Sequence, residues 1–471
     1  MVPAIRADVP DFDEWLEGTN YTGSRRKELE KIHNEGGVLS WELLISESFL
    51  KDEGYMSWKY PRGINSYSDL SKTIFGPVFK AIDKATFNHK WFVKGMDISE
   101  RPDLMFELFG ESPVVETDFT SFEVHHRGVF SDIIHYWIMH MSRGLNLPNY
   151  LKKMLAVAIK GCNVTKFSGV EIHVPQTLMS GAVWTSSSNG VLNLLIMSYL
   201  WSFDASVPPK ERAHRAFSSF NGLIEGDDGI CSAFECDQSL VNHLGIDLKL
   251  EIKPNFGCAS FCGINCAMGR REVLYDCRKF LRNFFILPGR LINAKKSTRD
   301  SYMRAKALSY LHDFHDCPII GPIAFSVCEM TKSLNINGVV GYMDMYKRER
   351  LTKNLQKLSK GDDWLRTKPN IVPQVREHYQ RVFGVSVEKQ IELETAFLTN
   401  PHVKGCDLSQ WMMPEDDDHK LMHVSDFDWK GCDRWKPYHM PDIIQHLLNE
   451  GVMGTPLKKH NRKIFSEKWS I

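Results

Sequence analysis

Apolar residues in this chain recur with two periods, and the periods separate strands from helices. Val114, Val115, Thr117 and Phe119, with Glu116 and Asp118 between them, form a short β-branched run that predicts a strand over Val114–Phe119. A helix follows, because Phe130, Ile133, Ile134, Trp137, Ile138 and Met141 fall on one face at the 3.6-residue period. Ser187 to Trp201 is apolar on most sides and predicts a second, buried helix. Gly222–Glu225 and Ile230–Phe234 flank Gly226-Asp227-Asp228-Gly229, the pattern of a β-hairpin with an acidic turn. Beyond about Cys277 the pattern becomes helical and basic. No internal repeat is visible, which excludes solenoids, and the fold class expected is α+β.

The longest apolar run, Val191 to Phe203, is interrupted by Asn193, Ser198 and Ser202. It falls short of the ~18 residues of a membrane span and reads as a buried helix. The first residues lack the charged, apolar and small-residue succession of a signal peptide, so membrane attachment is expected to come from elsewhere.

A length of 471 residues allows about three compact units of ~150 residues, or one large multi-part enzyme. With 43% hydrophobic and 25% charged residues, a mainly disordered chain is excluded. The 58 Lys and Arg balance 58 Asp and Glu, which argues against a uniform electrostatic coat for nucleic acid. The balance conceals local excess. Arg290, Lys295, Lys296, Arg299, Arg304 and Lys306 face Asp300 alone, and Lys347, Arg348, Arg350, Lys353, Lys357 and Lys360 face Glu349. The tail is basic at Lys458, Lys459, Arg462 and Lys463, after an acidic run from Glu415 to Asp418. Each cluster alone reads as a solvated face; together they could form a track for a polyanion. The eleven cysteines do not form a disulfide framework in a chain able to build its own core. Cys258, Cys262 and Cys266 recur every four residues without the paired C-x2-C spacing of a zinc site, and His312, His315 and Cys317 are no closer to one. A reducing compartment is expected.

The hairpin carries the candidate chemistry. Adjacent Asp227 and Asp228 at a turn between apolar strands repel each other, a costly arrangement that a cation relieves. Asp118 emerges likewise from the end of a strand, and carboxylates delivered by neighbouring strands make a seat for two Mg²⁺ ions. Between these acids, Ser180, Gly181 and Ala182 are small enough for a backbone or a nucleic-acid strand to approach closely. Thr185 and Asn189 are spaced to share a helix face, and the serine run at 186–187 predicts an N-terminal cap.

The ordered set resembles the RNA-dependent RNA polymerases of positive-strand RNA viruses, in particular the tombusvirus- and nodavirus-like branch. Asp118-Phe-Thr-Ser-Phe-Glu123 resembles motif A; Ser180, Gly181, Thr185 and Asn189 resemble motif B; Gly226-Asp227-Asp228 resembles motif C. Leu244 to Lys249 is similar to motif D, Ser260 to Gly263 to motif E, Lys59 to Ile64 to the basic motif F, and Tyr21 to Arg26 to a motif-G-like segment. These matches span residues 21–263, a little over half of the chain, and the order and spacing of A, B and C are the specific part.

The resemblance implies a right-hand polymerase: N-terminal fingers over 1–112, palm over 113–130, a fingers insertion over 131–175, palm again over 176–267, and thumb with a C-terminal region over 268–471. It implies template-directed RNA synthesis from ribonucleoside triphosphates with Mg²⁺, for which Mn²⁺ can substitute. Asp118, Asp227 and Asp228 would hold the metals, and Lys59 and Arg62 the triphosphate. Lys249 would be the general acid for the leaving group, although nearby Lys253 could take that role. Lys295, Lys296 and Arg299 would grip the RNA template and product duplex by its phosphates. The implied setting is the host cytoplasm, at membrane-associated replication complexes reached through other replicase segments. One position departs from the family pattern: Glu123 stands where motif A has Asp, the partner of the motif B Asn in contacting the ribose 2′-hydroxyl. Thr120-Ser-Phe-Glu123 also fits a capping box, and the two readings can coexist. A reverse transcriptase shares the palm, and a non-catalytic RNA-binding replication scaffold is the alternative of another class.

Overall fold

The computed structural model describes residues 9–19, 21–36, 41–50, 63–160, 162–167, 169–175, 177–268, 272–284, 287–288, 291, 293–343, 345–359 and 366–399. Lys59, Arg62 and the basic C-terminal tail lie outside the described residues. The architecture is mixed α and β, with small sheets set among many helices.

One four-stranded sheet is formed by β1 (Ile45–Leu50), β2 (Gly63–Tyr67), β4 (Cys162–Phe167) and β5 (Val170–Pro175), in the order β2-β1-β4-β5. Its β1–β4 pair is parallel and joins segments separated by more than a hundred residues. The second sheet contains β3 (Val114–Phe119), β6 (Gly222–Glu225), β7 (Asp228–Ser232) and β8 (Leu248–Lys253), all antiparallel, in the order β6-β7-β3-β8. The strand expected at Val114–Phe119 is found with those bounds, and it is the inner strand between β7 and β8. A short pair, β9 (Asn265–Cys266) and β10 (Val273–Leu274), leads into the helical C-terminal region.

The second sheet is covered on both faces at β3, β6 and β7, whose residues alternate between two cores, while the edge strand β8 is exposed or half-buried beyond Leu248. Val115, Phe119, Cys231 and Leu248 point to a large core shared with the helices Val129–Ser142 and Thr185–Trp201. Val114, Leu223 and Ile230 point to a smaller one with Phe256, Phe261 and Met105. The helix Val129–Ser142 buries Ile134, Trp137, Ile138 and Met141, as the period requires. A third core unites Leu274, Phe280, Leu311, Ile323 and Tyr379 across the helices Cys277–Phe284, Lys296–Phe314, Ile320–Met330 and Pro373–Phe383. The expectation of a helical region beyond Cys277 is met. This region meets the β-sheet part through His378 Nε2 and Gly257 O, 3.0 Å apart, and through an ion pair of Lys353 with Asp97.

The helix Thr185–Trp201 begins two residues before the expected start, at Thr185, and is buried on nearly every side. Trp184, just ahead of it, is 2% exposed and packs on Tyr67 at 5.3 Å, Phe75 at 5.8 Å and Phe79 at 5.2 Å between ring centroids. Tyr67 closes β2 and donates its hydroxyl to Asn163 Oδ1 on β4 at 2.6 Å. One indole therefore fixes the end of the first sheet to the start of the buried helix. Among the described residues no helix is long and apolar enough to cross a membrane.

Trp184→Ala removes this aromatic hub and leaves a large cavity. It should lower the unfolding free energy by about 3–5 kcal/mol in a denaturant titration, the usual range for such a truncation.

Candidate functional site

The acidic hairpin is tighter than its sequence pattern indicates. Glu225 pairs with Asp228, so the turn consists of Gly226 and Asp227 alone, and the second strand starts at Asp228, not at Ile230. A two-residue loop requires a left-handed residue, which Gly226 supplies with φ +64°. Pairing of β7 with β3 continues to Gly229 opposite Thr117, so the next residue on each strand, Asp228 and Asp118, come abreast. Asp118 also stands opposite Lys249 on β8.

Asp118, Asp227 and Asp228 all keep solvent-exposed surface, yet Asp228, at the start of the inner strand β7, is closely surrounded by protein. Withdrawal from bulk water pushes its carboxyl up to about 7, and the neighbouring charges of Asp227, Glu225 and Asp118 push in the same direction. Arg101 counters them from behind. It is buried, 5% exposed, and donates from Nη2 to Glu225 Oε2 at 2.5 Å. Cys262, in a left-handed conformation at φ +55°, donates its thiol to the same oxygen at 3.3 Å. Burial, together with Glu225 and Asp228, raises the Cys262 pKa far above the ordinary thiol value, so the sulfur keeps its proton. Cys266 instead faces Met105 Sδ at 3.7 Å. Among the described residues, no group of three or more His, Cys, Asp or Glu is gathered closely enough to hold a metal ion unaided.

The amide of Asn193 reaches this turn from the buried helix. Its Nδ2 donates to Gly226 O at 3.2 Å, Asp227 O at 3.0 Å and Asp228 O at 3.2 Å. In sequence, Asn193 reads only as a break in an apolar run. The available signal was the isolation of a polar residue in a helix with no solvated face, since such a side chain must find partners.

Ser180 and Gly181 are joined to β2 rather than left open. Gly181 N donates to Asn65 O at 3.0 Å, Asn65 N donates to Ser180 Oγ at 3.3 Å, and Ser180 Oγ donates to Gly63 O at 3.3 Å. A Cβ on Gly181 would stand 2.5 Å from Asn65 O, so the close approach anticipated for small residues is made by this backbone. Gly63 directly follows Lys59–Arg62 in the chain. Thr185 Oγ1 donates to Met179 O at 2.6 Å and closes the loop that carries Ser180.

The expected serine cap does not form. The cap position is Trp184, and the serines lie inside the helix, where Ser186 Oγ accepts from Lys94 Nζ at 2.5 Å. The capping box at Thr120–Glu123 is also absent. Ser121 occupies the cap position of the 3-10 turn Phe122–His125 in a left-handed conformation, with no side-chain cap bond. Glu123 is half-buried and makes no hydrogen bond with Asn189. Asn189 instead lies beside His126; both are buried, at 4% and 3% exposure. The amide is near enough to favour a charged imidazole, yet Asn189 Oδ1 and His126 Nε2 each lack a hydrogen-bond partner of normal geometry. Burial dominates and depresses the His126 pKa to about 4.

Lys249 is exposed and ion-paired with Glu251, whose hydrogen bond raises the ammonium pKa; Asp118 acts in the same direction. Lys253 bonds Glu251 at 2.6 Å and Glu116 at 3.2 Å, four residues farther along β8. That is ~13 Å at the strand rise, and Lys253 belongs to the end of the sheet remote from Asp118.

Much of the basic excess is used internally. Arg304 donates to Cys328 O at 2.7 Å, Lys306 is buried against Asn283 O, Arg348 donates to Met343 O at 2.9 Å, and Arg350 pairs with Asp313 at 2.5 Å. Lys295 and Lys296 are exposed, Lys296 pairing with Asp300 one turn along at 2.5 Å, and Arg299 is half-buried. No family model matches the chain, and no curated protein matches it.

Two outcomes follow from this geometry. Gly181→Ala forces the loop off β2 and should lower the melting temperature by several degrees, equivalent to about 1–3 kcal/mol of overpacking. His126 must stay neutral to remain buried, so its folded pKa lies below the unfolded one. Stability from this group is complete above about pH 6.5 and is lost as pH falls toward 4, on the order of 3 kcal/mol in all. His126→Leu should flatten the melting-temperature profile between pH 6.5 and 4.

Proposed function

We propose that the chain is a viral RNA-directed RNA polymerase, which extends RNA on an RNA template from ribonucleoside triphosphates. The observation that carries this reading is the meeting of Asp118, near the end of an inner antiparallel strand, with Asp227 in the two-residue Gly226-Asp227 turn and Asp228 at the start of the neighbouring strand. The order β6-β7-β3-β8, flanked by helices, suits a palm. The sheet uniting 45–50 and 63–67 with 162–167 and 170–175 suits fingers assembled from the N-terminal part and the insertion, and the helical core beyond residue 264 suits a thumb.

The donor chemistry fits Mg²⁺, or Mn²⁺ in its place. Mutually repelling carboxylate oxygens with only part of their charge balanced by Arg101 are ligands that a hard cation takes, and a nucleotide's phosphates complete such a site. Asp118, Asp227 and Asp228 would hold the ions, which lower the pKa of a primer 3′-hydroxyl and neutralise a triphosphate. Lys59 and Arg62, continuing from Gly63 beside Ser180, would bind the triphosphate. Lys249, across from Asp118, would donate a proton to the departing pyrophosphate once released from Glu251. Asn189 and Glu123 would face the ribose without bonding to each other in the free protein. Lys295, Lys296 and Arg299 would follow duplex phosphates. In the host cytoplasm, membrane contact at replication complexes would come from other replicase segments.

Primer extension on a defined RNA template with Mg²⁺ tests the reading, with deoxyribonucleotides supplied in parallel to detect a reverse transcriptase. Asp118→Asn and Asp227→Asn should each abolish extension while leaving the melting temperature and RNA binding near wild type. An inactive wild type that still binds RNA would favour the scaffold reading; near-normal extension by either variant would remove the metal assignment.

A further inference from the structure

Asn193 occupies a position that the helix does not need for its own stability. It is fully buried, 0% exposed, within a helix whose other inward residues include Leu192, Leu194, Ile196 and Met197. A buried amide without partners costs free energy that an apolar residue of similar volume avoids. Asn193 shares the two protons of its amide nitrogen among three successive carbonyls, those of Gly226, Asp227 and Asp228, at 3.0–3.2 Å, so that at least one proton is bifurcated. Its Oδ1 has no partner. The interaction is thus aimed at one turn and one turn only.

Two of the three carbonyls belong to the residues whose side chains bear the charge, and the third to the left-handed Gly226 that opens the turn. A two-residue turn between short strands has few backbone bonds of its own, and the carboxylates at its tip repel one another and Glu225. Repulsion of this kind drives a turn to open. A donor that holds three consecutive carbonyls from below opposes that opening and fixes the directions in which the Asp227 and Asp228 side chains leave the backbone.

We infer that Asn193 is a positioning residue for the metal-binding carboxylates, clamping the Gly226-Asp227-Asp228 backbone so that the turn presents its acids to a divalent cation together with Asp118. The inference rests on the polymerase reading and goes beyond it, because Asn193 touches neither nucleotide nor metal. Asn189 lies one helical turn earlier on the same side of the same helix.

Mn²⁺ binding measured by the paramagnetic resonance of the free ion tests this without requiring turnover. Asn193→Ala should weaken Mn²⁺ binding at least tenfold, and Asn193→Asp, equal in volume but with a carboxylate facing three carbonyls, should weaken it further. Leu200→Ala is the control for lost packing: it truncates a buried side chain two turns along the same helix and should lower the melting temperature while binding Mn²⁺ as wild type does. Exchange of the Asp228 amide, which closes the turn against Glu225, gives a second readout and should accelerate in Asn193→Ala but not in Leu200→Ala. Wild-type Mn²⁺ affinity in both Asn193 variants, or equal weakening in Leu200→Ala, overturns the role of Asn193 alone. A wild type that neither binds Mn²⁺ nor extends a primer overturns the polymerase reading, and this inference with it.

Discussion

Asp118, Asp227, Asp228 and Glu225 are gathered by backbone hydrogen bonds between strands, against their own mutual repulsion. The ladder that joins β3 to β7 and β6 to β7 fixes where the chain ends of these strands lie, and the acids are delivered with them. Opposition to the resulting charge comes from two directions. Arg101 meets Glu225 from the small core, where burial of a guanidinium is tolerated only because a carboxylate is there to receive it. Asn193 meets the turn from the large core, contributing no charge and acting on the backbone alone. The sheet is thus covered on both faces at β3, β6 and β7, and each face braces the same hairpin.

The buried helix Thr185–Trp201 transmits this bracing to the rest of the β-sheet part. At its start, Trp184 is packed on Tyr67, Phe75 and Phe79, and the loop before it is bonded to β2 through Ser180 and Gly181. At its middle, Asn193 is bonded to the hairpin. A rigid rod of about two turns separates these attachments. The segment that begins at Gly63 and the acids at residues 227–228 are consequently held at a defined spacing, although they belong to different sheets. That spacing is set by a helix instead of by a loop.

Local pattern made the inner strand and the helices legible, because a strand of six residues and an amphipathic face each advertise themselves within a short window. Features that depend on distant partners were not legible. The parallel pairing of β1 with β4 joins residues that share no local signal. Thr120–Glu123 has the composition of a capping box but begins from a left-handed Ser121, and the serines at 186–188 are drawn into the helix because Trp184 is anchored below them. The hairpin was placed correctly but drawn too wide, since Asp228 is an unusual strand residue by propensity and is kept there by pairing with Glu225. Asn193 was hidden for the opposite reason: within an apolar run it looked like noise, whereas burial made it the most constrained polar side chain near the acids.

Charge illustrates the same distinction between composition and placement. A chain with equal numbers of acids and bases can still attract a polyanion, provided some bases are not neutralised where they stand. The helical C-terminal region uses Arg304, Lys306, Arg348, Arg350 and Lys353 to satisfy carbonyls and carboxylates within itself and toward Asp97. Those residues support the third core and its junction with the β-sheet part, and replacing them would disturb packing before it disturbed any ligand. Lys295 and Lys296 differ because they are exposed at the start of a long helix, and an i,i+4 bond to Asp300 in water is weak enough to yield to a phosphate. Within the 290–306 cluster, then, Lys295 and Lys296 stay exposed at a helix start, whereas Arg304 and Lys306 are engaged inside the protein.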